Sequence, residues 1–127
     1  MNPFGHIDLR VAAMALAEPF YAALLPELGF TRTFPGETWK VWATEGDLPA
    51  TAYFAVIEEA GHTPNANRIA FWVPSPADVD RVGDVVRAAG GRIESGPRAC
   101  PEYSDSYYAV FFEDPSGNRL EVVHRTS

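Results

Sequence analysis

The chain is poor in several features that would fix its class. Among 127 residues there is one cysteine, Cys100, and one lysine, Lys40. A lone cysteine excludes an internal disulfide and any paired-cysteine zinc spacing, and it fits a reducing, cytoplasmic setting. Lysine and arginine together number 10 against 17 aspartates and glutamates, a formal net charge of −7. That excludes the basic footprint of a nucleic-acid binder and offers nothing to an anionic membrane surface. No apolar run approaches the roughly 20 residues that span a bilayer. The N-terminal residues do not show a basic stretch followed by an apolar one, so no secretory signal is expected. A glycine-rich phosphate loop and a nucleophile elbow are also missing. What is present is a hydrophobic content of 46% with 13% aromatics, ample for a core.

The chain repeats its order of patterns 62 positions apart. His6-Ile7-Asp8-Leu9-Arg10-Val11 opens one half and Arg68-Ile69-Ala70-Phe71-Trp72-Val73 opens the other. Gly29 ends a helical stretch in the first half and Gly91 does so in the second. A unit that cannot bury its own apolar face must pack on a copy or a partner. The length suits a single domain over 1–127, with module 1 at about 4–60 and module 2 at about 66–126.

Strict alternation over 6–11 predicts a half-buried strand. Leu16, Phe20, Leu24 and Leu28, with Tyr21 and Leu25 beside them, predict an amphipathic helix from about Met14 to Leu28. Pro19 is compatible with it only in the first turn, and Pro26 signals irregularity before Gly29. Strands are expected at Thr31–Phe34, Trp39–Ala43 and Ala50–Ile57. In the second half, Ser75 is an N-cap, Pro76 sits at N1 and Asp78 at N3. Val79, Val82, Val86 and Ala89 form the buried stripe of that helix. Strands follow near Arg92–Glu94, Tyr107–Glu113 and Arg119–His124, with a long loop or lid over 95–106.

This predicts an α+β fold of two tandem βαβββ modules forming a curved, mostly antiparallel sheet with the helices on its outer face. Strand parity then assigns His6, Asp8, Arg10, Arg68, Trp72 and Glu121 to the inner face, and makes His6, Arg68 and Glu121 a converging polar set. Arg68 is expected to pair with Glu121. Buried polar groups of this kind must pair or bind something.

The segment from Tyr107 to Glu121, with its Asp114-Pro115-Ser116-Gly117-Asn118 turn leading into a strand with glutamate, resembles the vicinal oxygen chelate superfamily. Glyoxalase I, extradiol dioxygenases, fosfomycin-resistance enzymes and bleomycin-binding proteins belong to it. Phe20-Tyr21 and Leu28-Gly29-Phe30 are similar to its first helix, and Pro101-Glu102-Tyr103 before Tyr107-Tyr108 is similar to a glyoxalase-like bacterial branch. The resemblance implies a divalent metal (zinc, nickel, iron or manganese) on four ligands, one from the first and last strand of each module. His6 matches the first position and Glu121 the fourth. The second has only Tyr53 or Phe54, with no carboxylate before Glu58, and the third is Arg68, whose guanidinium repels a cation.

Two function classes follow. In an enzyme of lyase, isomerase or dioxygenase type, His6 and Glu121 serve as acid, base or metal ligands, and Arg68 clamps an anionic oxygen. In a small-molecule binding protein, aromatic side chains (Trp39, Trp42, Tyr53, Phe54, Trp72, Tyr103 and Tyr108) wall a groove suited to a planar or cationic molecule, with Asp8 and Arg10 also facing it. A homodimer is expected, because the Trp39–Ala43 strand, taken as a sheet edge, carries only Lys40 as a guard.

Overall fold

The computed structural model describes residues 2–47 and 51–127, in two compact units, Met1–Thr63 and Pro64–Ser127. Each described unit is a four-stranded mixed sheet with one α-helix, so the chain is two tandem βαβββ modules of an α+β fold.

Module 1 runs β1 (His6–Val11), α1 (Met14–Leu24), a 3₁₀ turn (Leu25–Leu28), β2 (Phe30–Pro35), β3 (Trp39–Thr44) and β4 (Tyr53–Glu58). The sheet order is β1-β4-β3-β2; β1 and β4 are parallel and the other neighbours antiparallel. Successive hairpins after the helix produce the β2-β3-β4 meander. The helix itself is the crossover that allows β1 to lie parallel to β4. Ala50, expected to open the fourth strand, lies outside the described residues; β4 starts at Tyr53.

The helix α1 departs from its predicted stripe. Ala17, Phe20, Tyr21 and Leu24 are buried, whereas Leu16 is 64% exposed. Pro19 lies in the second turn, beyond the first turn to which the sequence confines it. Its ring is on the solvent side, where the carbonyl it leaves without a partner can be hydrated, and the buried aromatic face holds the helix. Ala13 at the N-cap has no side chain to accept a bond; Glu58 of β4 accepts from the Met14 N–H at 2.9 Å instead. The 3₁₀ turn places Pro26 within it and ends at Gly29 with φ 95°.

Module 2 runs β5 (Arg68–Trp72), α2 (Pro76–Ala88), β6 (Arg92–Ala99), β7 (Tyr108–Glu113) and β8 (Arg119–His124), in sheet order β5-β8-β7-β6. Here α2 follows its sequence signals, except that it ends at Ala88 and Ala89, expected in the buried stripe, is its half-buried C-cap. Ser75 Oγ accepts from the Asp78 N–H at 3.2 Å and donates to Asp78 Oδ2 at 2.9 Å, and Val79, Val82 and Val86 are buried.

Two expectations are corrected. Part of the loop expected over 95–106 is strand: β6 continues to Ala99, so the connection to β7 begins only at Cys100. Pro97 is tolerated because β6 is an edge strand with register shifts at Ser95, where a missing N–H breaks no inner ladder. The strand Trp39–Thr44 is not an edge. It is bonded to β2 on one side and β4 on the other, so the edge argument for a dimer fails.

Candidate functional site

Each module has one face covered by its helix and one face free of it. In module 1, Lys40 bonds to Glu18 of α1 at 2.8 Å, and Trp42 and Phe54 contact Tyr21 of α1. The register then puts His6, Asp8 and Arg10 of β1 beside Tyr53, Ala55 and Ile57 of β4 on the helix-free face. Val41, Ala43 and Trp39 of β3 continue that face, as do Arg32 and Phe34 of β2. Trp42 and Phe54, two of the expected groove walls, are therefore core residues, each 1% exposed under α1.

In module 2 the same logic places Arg68 and Trp72 of β5 beside Arg119, Glu121 and Val123 of β8, next to Phe111 and Ala109 of β7. The opposite face belongs to α2. Tyr108 is on it: its phenol donates to Asp80 of α2 at 2.7 Å, which raises its pKa, so Tyr108 ties the helix to the sheet and is not a wall of the helix-free face.

The residue that does face Glu121 is the preceding one. Tyr107 donates its phenolic hydrogen to Glu121 Oε2. Burial, followed by this carboxylate, pushes the phenol well above the ordinary tyrosine range. Glu121 is only 4% exposed, so the bond satisfies a carboxylate that would otherwise be buried alone. Tyr103, expected at the site, packs its ring 4.9 Å from that of Tyr107. Cys100, Ala109, Phe111 and Val123 form the small core beneath, with Tyr107 against it. Burial pushes the Cys100 thiol up, which suits a packing residue and not a nucleophile.

Arg68 and Glu121 share a face without pairing. The Arg68 guanidinium bonds to Glu94 at 3.4 Å and to the Leu120 carbonyl at 3.4 Å, and it lies 4.9 Å from the centroid of Phe111. Arg98, held by Glu102 at 3.0 Å, approaches the same ring at 5.8 Å. The expected Arg68–Glu121 pair is thus replaced by two local pairs, Arg68–Glu94 and Tyr107–Glu121. Glu94 reaches the face through the register shift that follows Ile93, which strand parity alone does not reveal. Trp72 is 58% exposed, with its ring 5.9 Å from His124, whose Nδ1 is 2.8 Å from the Val73 carbonyl.

In module 1, His6 stacks on Tyr53, with ring centroids 4.4 Å apart and planes within 2°. Its Nε2 is 3.8 Å from Asp8, and Arg10 is 3.9 Å from Glu59.

The family model of the Glyoxalase/Bleomycin resistance protein/Dioxygenase superfamily matches residues 4–122. The chain belongs to that superfamily. An uncharacterized Bacillus subtilis protein, YqjT, is 26% identical over 128 residues, covering 93% of this chain and 95% of that protein. A glyoxalase/bleomycin resistance protein of Albidiferax ferrireducens shares the fold at TM-score 0.79 and 23% identity, over 98% of this chain and all of that one (100%). The fosfomycin resistance protein FosX of Mesorhizobium loti shares it at TM-score 0.70 and 18% identity, over 99% and 94% of the two chains.

The four metal positions implied by the superfamily resemblance can now be compared with the donors present. His6 and Glu121 are donors. The β4 position is Tyr53, stacked on His6, and the first nearby carboxylate, Glu58, is committed to the N-terminus of α1. The β5 position is Arg68, a permanent cation. Among the described residues no three His, Cys, Asp or Glu side chains are grouped to hold a metal ion. A catalytic zinc site usually has three protein ligands, and this donor set does not supply them.

Proposed function

We propose that this superfamily member binds a small oxygenated molecule on the helix-free faces of its modules, with Arg68 receiving an anionic oxygen and no divalent metal held tightly. The observation that carries the reading is the guanidinium of Arg68, resting on Phe111 where the resemblance expects a metal ligand. A fixed charge there takes over the electrostatic task of a cation, and a guanidinium suits carboxylate or phosphonate oxygens.

His6 and Glu121 are the proposed acid–base groups for a lyase- or isomerase-type proton transfer. Such a reaction needs no redox metal. Dioxygenase chemistry of the extradiol type would call for a bound redox metal, and His6 and Glu121 alone are too few ligands to hold one. Asp8, Arg10, Tyr53, Trp72 and Tyr103 are the proposed contacts around the ligand. A second reading, sequestration without turnover, is favoured by one specific contact: the Glu121 carboxylate is already capped by Tyr107.

The two modules are proposed to act as one functional domain, in a reducing cytoplasm to which a lone buried thiol is suited. No helix among the described residues is long and apolar enough to cross a membrane. A homodimer is part of the proposal. Its support is apolar surface that a second copy could cover, with Leu16 64% and Trp72 58% exposed. Light scattering at tens of micromolar protein should give twice the chain mass; a monomer removes the dimer alone.

Calorimetry tests the core of the reading. Zinc, nickel and manganese should show no micromolar binding, while methylphosphonate and lactate should bind the natural protein and lose affinity in Arg68→Gln. Micromolar metal binding would reinstate the metal. Oxyanion binding indifferent to Arg68→Gln would remove the role of Arg68.

A further inference from the structure

We infer that the helix-free face of module 1 takes a planar aromatic molecule bearing a carboxylate, with Arg32 receiving the carboxylate and the surrounding rings receiving the plane. The inference rests on the small-molecule reading above and names the ligand chemistry.

The face holds a cleft of about 1050 Å³ lined by Phe4, His6, Arg32, Phe34, Trp39 and Tyr53, among others, all from module 1. Small-molecule sites are of this order of volume and are mostly apolar with a few fixed polar groups. The aromatic walls are preset. Gly36 accommodates the Trp39 indole so closely that a Cβ there would come within 2.2 Å of the ring. The indole is laid against the turn, yet Trp39 stays 41% exposed and lines the cleft. His6 and Tyr53 are stacked on one another and form a second fixed wall. Rings held in this way lose little entropy when a planar partner lands on them.

Arg32 supplies the sign of the charge. Its Nε donates to the Thr44 carbonyl at 3.0 Å and its guanidinium lies 6.0 Å from the Phe34 centroid. Both terminal nitrogens keep the fork that matches a carboxylate. Arg10, Arg68, Arg81, Arg87, Arg92 and Arg98 each have a carboxylate partner. Arg32 has none among the described residues, in a chain where acidic groups outnumber basic ones 17 to 10. The acidic groups nearby are Asp47, which also lines the cleft, and Glu45, which accepts from Thr31 beside Arg32; Asp8 faces His6 on β1. A cationic planar ligand would meet the guanidinium as a like charge, whereas an aromatic carboxylate meets rings and guanidinium together.

The test is calorimetry with 2-naphthoate, 2-naphthalenemethanol and 2-naphthylmethylammonium against the natural protein, Arg32→Gln, Arg32→Lys and Arg68→Gln. Naphthoate should bind about tenfold or more tightly than the alcohol, the scale of a charged hydrogen bond. Arg32→Gln should erase that margin, Arg32→Lys should keep part of it, and the Trp39 indole N–H resonance should shift on binding. Equal or better binding of the alcohol or the ammonium, or no binding of any probe at millimolar concentration, overturns the inference. So does a margin that survives Arg32→Gln. If that surviving margin vanishes in Arg68→Gln, the carboxylate belongs at Arg68 and the proposed function stands without this inference. Micromolar metal uptake would remove the metal-free reading and leave the naphthoate margin as it is.

Discussion

The phenol of Tyr107 donates to the carboxylate of Glu121, which lies on the neighbouring strand and is almost fully buried. One hydroxyl therefore decides whether a buried carboxylate is satisfied. In Tyr107→Phe the carboxylate loses its donor while the ring stays in place against the Cys100 core. Leaving a buried charged acceptor unmade costs about 1–3 kcal/mol or more. A urea titration of natural and variant protein should show the midpoint fall with an unchanged slope. An unchanged midpoint would mean that the bond contributes nothing net.

The same pair has an alkaline signature. Because the folded phenol has its pKa raised by burial and by Glu121, the folded state holds this proton more tightly than the unfolded chain. The contribution is complete below the ordinary tyrosine range, near pH 10, and is lost as pH rises beyond it. Absorbance of tyrosinate against pH should show a late-ionising tyrosine that disappears in Tyr107→Phe. Tyr108 is also raised, by its bond to Asp80, so Tyr108→Phe is the needed control.

Helix α2 offers an acid-side counterpart. Ser75→Ala removes both bonds of its N-cap, and loss of such a cap costs about 0.5–2 kcal/mol. The Ser75 hydroxyl, and then Arg81, lower the Asp78 pKa. A lowered carboxylate adds stability above its unfolded pKa of 3.8 and loses it as pH falls through the folded value. The gap between natural and variant protein in urea should therefore be wide at pH 7 and narrow below about pH 4. A gap that does not change with pH would leave only the backbone bond in force.

Legibility followed how local each signal is. The N-cap, proline and valine stripe of α2 lie within a few residues of one another, and the structure matches them. The parity of β1, β5 and β8 was equally plain, because alternation needs no partner to be read. Contacts that depend on register were not. A one-residue choice separates Tyr108, which was expected at the site but bonds to α2, from Tyr107, which holds Glu121. Tyr107 was detectable, since it shares parity with Ala109 and Phe111. Glu94 was not, because a register shift in β6 brings it to Arg68. Arg32 and Phe34 carry no distinguishing signal in the sequence of β2, and their meaning comes from lying beside Ala43 and Val41. In α1, Glu58 replaces an N-cap from 44 positions away, which no local pattern announces.

Two glycines with positive φ should respond differently to alanine. Gly29 (φ 95°) ends the first helical stretch with nothing within 4 Å of an added Cβ, so Gly29→Ala carries only the left-handed backbone cost, about 1–2 kcal/mol. Gly96 (φ 88°) carries that cost and a collision, because the Cβ would lie 2.4 Å from the Ala109 carbonyl oxygen and 3.1 Å from the Arg98 nitrogen. Both are backbone atoms of the β6–β7 ladder and cannot turn aside. Thermal melts should rank the proteins natural, then Gly29→Ala, then Gly96→Ala. The second variant should also perturb module 2, where hydrogen exchange at Ala109 and Val110 should accelerate while the amides of β1 and β4 stay protected. Equal loss in both variants would show that the ladder relaxes around the extra methyl group.

Arg68 separates a binding role from a structural one. Its pair with Glu94 is partly exposed, at 27% and 24% for the two side chains, and the 3.4 Å contact is long. Such ion pairs contribute about 0–1 kcal/mol, so Arg68→Gln should leave the urea midpoint nearly unchanged. Packing of the guanidinium on Phe111 adds little more at a partly exposed site, about 0.5–1 kcal/mol. Oxyanion affinity should nevertheless drop, because a neutral amide cannot replace a permanent charge. Arg68→Lys divides the effect further: it keeps the charge and loses the planar fork, so it should recover part of the affinity for lactate, whose carboxylate is bound through two parallel bonds by arginine. If Arg68→Gln lowers the unfolding free energy by several kcal/mol and leaves oxyanion binding alone, Arg68 is a brace for β6 through Glu94, and the proposed anion clamp has no residue to carry it.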